Sequence, residues 1–370
     1  MLRLTIDIDK ITENYRSVRK ICDGHGISLV VVAKICLTKL DIVQPIIDAG
    51  ARIVAESNLA NLSSLPGHVE RMLLRCSLAE MREGLANCDY VFLSELSHFE
   101  TCAEARRAGP RHAGPRHAGP RRGAFISVEA GDLRDGVTAE ELPGFVDKAA
   151  RVRGGPRIAG FAANYGCLRG FVPDLEDLVR FRELCDRSAS RAGLGGYEVS
   201  IGGTTVFDML AEGSLDGLAD QIRIGEAIYF GYNMSLAKKI PGLHDDALIL
   251  TAEVIEAREK LVTDDEPHGL NAFGHPAFKP RTGIRLRAIL NFGELAAPTR
   301  SLAPLLPGAF FEGATHDHAV LDITDCEDPP RPGDLVKFRT NYHSAAQAML
   351  SPYVEKVMAT RALPAMEERG

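Results

Sequence analysis

Short apolar runs rich in Val, Ile and Leu alternate with longer amphipathic stretches along the first two-thirds of the chain. The opening "LRLTID" predicts a strand, and a helix follows from about Lys10. Further strands are predicted at "SLVVVAK", "RIVAE", "RMLLRC", "DYVFLSE", "AFISVEA", "RIAGFAAN", "YEVSIGG" and "QIRIGE". Between them "LDIVQPIIDAG", "NLANLSSL", "LSHFETCAEARRA" and "LEDLVRFRELCDRSASRAG" read as helices, and Gly often follows the last helical residue. Eight strand–helix units by about residue 230 predict an α/β fold, a (β/α)8 TIM-type barrel over residues 10–235. A doubly wound open sheet is the alternative, and it is weaker because no glycine-rich dinucleotide turn follows an early strand. From about residue 246 the texture changes to "ALILTAEVIEARE", "IRLRAILNFG", "HAVLDITD" and "DLVKFRT", punctuated by turns such as "EDPPRPGD". This predicts a mostly β C-terminal domain, residues 236–370, completed by residues 1–9.

Composition changes this picture little. With 45% hydrophobic and 25% charged residues in 370, the chain is an ordinary globular one. Its net charge of −7 gives no extended basic surface for nucleic acid. No apolar run has the length of a membrane span, and "MLRLTIDIDKITENY" lacks a signal-peptide pattern. Eight cysteines without CxxC or zinc-type spacing suggest reduced thiols, no metal site and a cytoplasmic protein. One segment stands apart. "AGPRHAGPRHAGPRR", residues 108–122, is a tandem repeat whose Pro and Gly exclude helix and sheet, so a flexible basic insertion over 108–123 is expected. A surface insertion without function explains it better than an anion clamp or partner site.

In a barrel of this type the chemistry sits at the C-terminal ends of the strands. Those ends carry, in order, Lys34, Glu56, Arg75, Glu95, "GDLRDG" with Arg134, "FAANYG" with Asn164, "GGTT" at 202–205, and "RIGEA" with Arg223. For Glu56, Glu95 and Asp132, simple contact with solvent at a strand end is a good explanation. The last two strands are more informative: Gly202, Gly203, Thr204 and Thr205 offer backbone N–H groups and two hydroxyls, and Gly225 permits close approach of backbone. Loops after the seventh and eighth strands are the usual phosphate site of such barrels. Lysine is seldom buried unpaired. A lysine on one wall and a phosphate cradle opposite suggest pyridoxal phosphate, with the amine forming a Schiff base and desolvation keeping it neutral. Without the cradle, a lysine snorkelling from the barrel mouth would be the better explanation.

At these residues the chain resembles the fold-type III pyridoxal-phosphate enzymes, the alanine racemase superfamily, and within it the ornithine racemase-like branch. The ordered series "TIDIDKITENY", "VVAK", "RMLLRC", "GDLRDG", "NYGCLRGFVP", "VSIGG", "RIGEA", "NAFGHPAF", "HDHAVLDI" and "SPYVEKV" carries the resemblance, which spans nearly the whole chain outside the repeat. It implies that Lys34 holds the cofactor as an internal aldimine and acts as one base. Arg134 would lie near the phenolic oxygen, and Asn164 stands where alanine racemases carry a histidine lining the site. Gly203, Thr204, Thr205, Gly225 and Glu226 would surround the phosphate, which Tyr342 would reach from the C-terminal domain. Arg223 would face the pyridine nitrogen; because arginine keeps its proton, that nitrogen stays unprotonated, which suits racemisation and argues against decarboxylation. The resemblance also implies a homodimer with shared active sites.

One departure bears on the reaction. Racemisation by two bases needs a proton carrier on each face, and where the family places a tyrosine from the partner subunit this chain has Phe273 in "LNAFGH". The substitute is sought in "ATHDHAV", where Asp317 matches an acidic residue of the family's partner-side wall. On a strand His316 and His318 would point one way and Asp317 the other. His318 is the choice, since the ornithine racemase-like pattern has Asp-His there. A metal-like pair with no evident third ligand, and solvated histidines at a strand start, compete with it. Cys167, Tyr165 and His275 are further candidates. The expected activity is racemisation or epimerisation of a free amino acid, a basic one among the options. The alternatives are another pyridoxal-phosphate reaction, such as an aldolase cleavage or a specialised biosynthetic step, and a non-catalytic cofactor-binding regulator.

Overall fold

The computed structural model describes residues 1–107, 123–265, 269–275 and 280–360, so the repeat at 108–122 lies outside the described residues. It divides into two units, Thr12–Leu243 and Met1–Ile11 with His244–Gly370. After β1 (Leu2–Asp7), eight strands build the first unit: β2 (Ser28–Val32), β3 (Ile53–Glu56), β4 (Glu70–Leu73), β5 (Tyr90–Leu93), β6 (Gly123–Ser127), β7 (Ile158–Asn164), β8 (Glu198–Gly202) and β9 (Gln221–Ile224). Each pairs in parallel with the next, and β2 pairs with β9 to close the barrel. These are the eight strands expected from the apolar runs. Parallel strands are covered on both faces, so their sequences run mostly apolar.

The barrel interior is filled by Val30, Ala55, Met72, Tyr90, Phe92, Phe125, Ala159 and Ala162, all buried. Small residues on β3 and β7 make room for the aromatic rings of β5 and β6, where Tyr90 meets Phe125 edge-on at 5.6 Å between centroids. The surrounding helices follow their sequence cues. Helix Leu175–Arg191 is started by Asp174, which accepts the Asp177 N–H while the Asp177 side chain returns to the Asp174 N–H. Its Leu178, Phe181 and Cys185 form the buried stripe. Shorter helices at Met81–Asn87, Phe207–Ala211 and Glu226–Phe230 carry too few turns for periodicity to reveal them.

A two-stranded ribbon, β10 (Tyr232–Asn233) with β11 (Lys238–Lys239), ends the barrel unit. The second unit is one eight-stranded sheet, ordered β14 (Leu302–Pro304), β17 (Leu335–Thr340), β12 (Leu248–Val262), β13 (Gly283–Leu290), β16 (Ala319–Asp322) and β15 (Phe310–Ala314). β1 joins it between β12 and β18 (Glu355–Ala359), antiparallel to the first and parallel to the second. The 15-residue β12 pairs β1 and β17 over its first part and β13 over its second, with a bulge between Val254 and Glu256. The mostly β character read from residue 246 onward is therefore what this unit has. No helix among the described residues is long and apolar enough to cross a membrane.

Candidate active site

A cavity of about 400 Å³ is lined by Lys34, Arg75, Arg134, Asp135, Asn164 and Arg223, among others. Most of these stand at or just beyond the C-terminal ends of barrel strands, where this architecture places its chemistry. Lys34 begins a single 3-10 turn, Lys34–Cys36, directly after β2. The two residues that follow, Leu37 and Thr38, both take left-handed backbone conformations, with φ of 55° and 51°. Burial pulls the Lys34 amine below the ordinary lysine range; Arg134 and Arg223 pull the same way, while Cys167 and Glu56 pull it up. The amine is thereby biased toward the neutral form that a nucleophile or base requires.

Arg223 is buried on β9 and is held from three directions. Its Nη1 donates to the Ser200 carbonyl at 2.8 Å and to Ser200 Oγ at 2.6 Å, and its Nη2 donates to the Ala163 carbonyl at 2.7 Å. The guanidinium also lies 5.0 Å from the Phe92 ring centroid. Burial, reinforced by Arg134, pushes its pKa down to about 9, which leaves it charged at neutral pH. Behind it the bonding continues: Ser200 Oγ donates to Gln221 Oε1 at 2.9 Å, and Gln221 Nε2 donates to Glu198 Oε2 at 2.6 Å. The chain of donors runs from the arginine to a carboxylate, so each bond polarises the next.

Asn164 supplies a second feature that awaits a partner: its Nδ2 is buried with no hydrogen bond. Gly202 is required beside it. A Cβ there would lie 2.3 Å from Arg223 Nη2 and 2.8 Å from Asn164 Oδ1. Arg134 sits on a loop folded around Glu129, whose carboxylate accepts the N–H groups of Gly131 at 2.6 Å, Leu133 at 2.9 Å and Arg134 at 3.2 Å. Its own Nε donates to Asp135 Oδ1 at 2.5 Å.

The loop at 202–205 is fixed by bonds to its neighbours. The Gly203 N–H donates to the Arg223 carbonyl at 3.1 Å, Thr204 Oγ1 accepts the Ala227 N–H at 3.1 Å, and Thr205 Oγ1 shares a hydrogen bond with Ser235 Oγ at 2.9 Å. These bonds tie the loop to the helix Glu226–Phe230 and the ribbon after it. Gly225 still allows close approach, since a Cβ there would meet the Val32 carbonyl at 2.8 Å. Glu226 accepts the Met234 N–H at 2.5 Å, and burial raises its pKa.

Two of the strand-end acids assigned to solvent are corrected. Glu56 and Asp132 are each 3% exposed. Asp132 Oδ1 accepts the N–H groups of Leu168 and Arg169, tying the Arg134 loop to the loop after Asn164. Glu56 accepts four hydrogen bonds, from the Thr38 hydroxyl, the N–H groups of Ser57 and Asn58, and the Asn61 amide. Glu95 is exposed as expected. Sequence reasoning also passed over Ser200 and Gln221, although polar residues inside the apolar runs "VSI" and "QIRI" were a usable signal. The two are direct partners in the β8–β9 register.

The remaining candidates belong to the β-rich unit or have other surroundings. Tyr342 opens helix Tyr342–Leu350, whose N-terminus is capped by Asn341. His316, Asp317 and His318 occupy the turn between β15 and β16, closed by the Thr315 N–H to the His318 carbonyl at 2.8 Å, and all three are exposed. The strand alternation expected for them is thus replaced by a hairpin turn, because β15 and β16 pair across it and leave those residues at the reversal. The His316 ring packs on the Phe273 ring at 4.6 Å between centroids. Tyr165 is buried with its hydroxyl unpartnered, Cys167 is exposed, and His275 lies exposed in a turn with Asn271. No group of three or more potential metal ligands occurs among the described residues.

The family of the alanine racemase N-terminal domain matches residues 6–233. The chain belongs to the alanine racemase family. Lysine racemase of Thermotoga maritima is 32% identical over 359 residues, covering 96% of this chain and 98% of the relative. Ornithine racemase of Acetoanaerobium sticklandii is 26% identical over 357 residues, covering 96% and 98%. An alanine racemase of Bartonella henselae, solved with covalently bound pyridoxal phosphate, has the same fold with a TM-score of 0.70 at 17% identity, covering 97% of this chain and 99% of that one. Membership of the alanine racemase family accounts for a barrel and a β-rich unit in this order.

Proposed function

We propose that the protein is a pyridoxal-phosphate-dependent racemase of a free basic amino acid, lysine or ornithine, with Lys34 as covalent anchor and as base on one face. The observation that carries this reading is the barrel-end cavity in which one lysine of lowered pKa stands among Arg134, Arg223 and an unpartnered Asn164 amide. That donor set fits the cofactor: it offers an amine for the aldehyde and cations and N–H groups for the anionic oxygens and the ring nitrogen. The full-length relatives named for lysine and ornithine support the substrate class.

When bound, pyridoxal phosphate acidifies the α-proton of an amino acid by withdrawing electron density into its ring. The protein's own groups then divide the work. Lys34, whose amine burial biases toward the neutral form, would take or return a proton on its side of the substrate carbon. Arg223 can only donate, so it would serve the ring nitrogen as a hydrogen-bond donor without supplying a proton, and its carbonyl and hydroxyl anchors hold it in the cavity. Arg134 and the Asn164 amide would bind anionic oxygen. Thr204, Thr205, Gly203, Gly225 and Glu226 would shape the phosphate end.

The proton on the second face falls to the hairpin histidines: His318 on its sequence pattern, His316 on its contact with Phe273, with Asp317 between them. The double variant His316→Ala/His318→Ala is expected to retain α-proton exchange from one enantiomer while inversion falls at least tenfold. Inversion at the wild-type rate would place the second carrier elsewhere. Phe273, which carries no proton, favours an aldolase-type or other reaction at the same carbon as the second reading. Chiral analysis of lysine, ornithine, alanine and a β-hydroxy amino acid incubated with the loaded protein separates the two. Racemisation with a preference for the basic pair is expected, and cleavage of the β-hydroxy compound without racemisation would sink the proposal.

A homodimer with shared active sites is part of this reading. The β-rich unit exposes Leu261 and Ile284, direct partners across β12 and β13, at 75% and 68%, an apolar pair of the kind subunit contact covers. Sedimentation should give twice the chain mass, and a monomer with full activity would contradict it.

A further inference from the structure

Glu56 is a strand-end carboxylate buried to 3% exposure, although its charge would be better solvated at a barrel rim. Its hydrogen bonds explain why it is tolerated there. Oε1 accepts the N–H groups of Ser57 at 2.6 Å and Asn58 at 3.3 Å, while Oε2 accepts the Thr38 hydroxyl at 3.0 Å and the Asn61 amide at 3.2 Å. One carboxylate thus fastens the end of β3 to the end of the loop that begins with Lys34. That loop is strained, because Leu37 and Thr38 are consecutive non-glycine residues at positive φ. Its backbone bonds run from the Leu37 N–H to the Lys34 carbonyl at 3.1 Å and from the Thr38 N–H to the Ala33 carbonyl at 3.3 Å, so displacement of Thr38 moves the turn that carries Lys34. Ser57, held on the other carboxylate oxygen, lines the same cavity as Lys34.

We propose that Glu56 and Thr38 are positioning residues for Lys34: the Glu56 carboxylate, through the Thr38 hydroxyl, holds the left-handed turn that aims the amine into the cavity. The inference rests on Lys34 being the cofactor's anchor. It adds that the anchor is preorganised by a pair that does not touch the cofactor. The Glu56 charge also opposes the lowering of the Lys34 pKa, which burial chiefly causes and Arg134 and Arg223 reinforce.

The test is the rate at which apoprotein develops its visible absorption band on addition of pyridoxal phosphate. Thr38→Val keeps the shape and removes only the hydroxyl; Glu56→Gln presents an N–H pair to donors on one of its two sides; Thr38→Ser keeps the hydroxyl. Band formation is expected to slow at least tenfold in Thr38→Val and Glu56→Gln, and to stay within threefold of wild type in Thr38→Ser. Far-ultraviolet circular dichroism identifies the folded fraction on which each rate is scored. Wild-type rates in folded Thr38→Val, whether or not its Tm falls, would overturn the inference and leave the pair a merely structural tie. Lys34→Ala run in parallel tests the underlying reading separately: a band in that variant would remove Lys34 as anchor, whatever the Thr38 variants do.

Discussion

Lys34→Ala is expected to abolish the visible absorption band of the loaded protein and to lower racemisation by at least 10⁴-fold, since covalent binding of the cofactor and proton transfer on one face fail together. The loss should not come from unfolding. Lys34 is half-buried at the start of a single 3-10 turn, and its removal takes a desolvated amine out of a cavity that also holds Arg75, Arg134 and Arg223. Tm of the apoprotein should therefore change little or rise. Added methylamine should restore neither the band at wild-type position nor turnover at more than a small fraction of the wild-type rate, because a free amine lacks the placement that the 33–38 turn supplies. A variant that keeps both band and turnover would remove the chemical centre of the account.

Arg223→Met is expected to have the second largest effect, and on two observables. The substitution removes the donor from the Ser200 carbonyl, Ser200 Oγ and the Ala163 carbonyl, all of which lie in the barrel interior. Unsatisfied buried acceptors cost about 1–3 kcal/mol each, and relief of a desolvated charge offsets part of that, so a loss of roughly 2–4 kcal/mol is expected in urea unfolding of the apoprotein. Racemisation should fall at least about 100-fold, on the scale of losing one fixed donor at a reacting group. The visible band should persist, because Lys34 is intact. Racemisation within threefold of wild type would show that the ring nitrogen does not depend on this arginine.

The barrel was legible in the sequence because parallel strands buried on both faces are written as mostly apolar runs, and each of the eight appeared as a short one between helical stretches. Short strands of the β-rich unit were not. "LAP" at 302–304 and "FFEGA" at 310–314 are too brief or too broken by glycine to carry alternation, and their place in the sheet comes from pairing with β17 and β16. The same limit hid the true setting of His316 and His318. A two-residue difference between strand and turn decides where a side chain points, and only the pairing of β15 with β16 fixes the reversal.

At the site, sequence order alone was enough to gather Lys34, Arg134, Asn164 and Arg223, because strand ends of a barrel converge whatever their separation in the chain. The supporting groups were harder to see. Glu56 and Asp132 look like any acid after a strand until their partners are known, and those partners include backbone N–H groups that leave no mark in the sequence. Ser200 and Gln221 were visible as polar residues within apolar runs, but their role depended on β8 and β9 being neighbours in register.

The central claim is tested most directly by incubating the loaded protein with L-lysine in D₂O and reading deuterium at the α-carbon and enantiomer composition from the same sample. The account predicts that deuterium appears in step with D-lysine and that the mixture ends near equal amounts of the two enantiomers, each labelled. Deuterium entering L-lysine with no D-lysine formed, or no deuterium entering at all while ornithine also stays unlabelled, would contradict it.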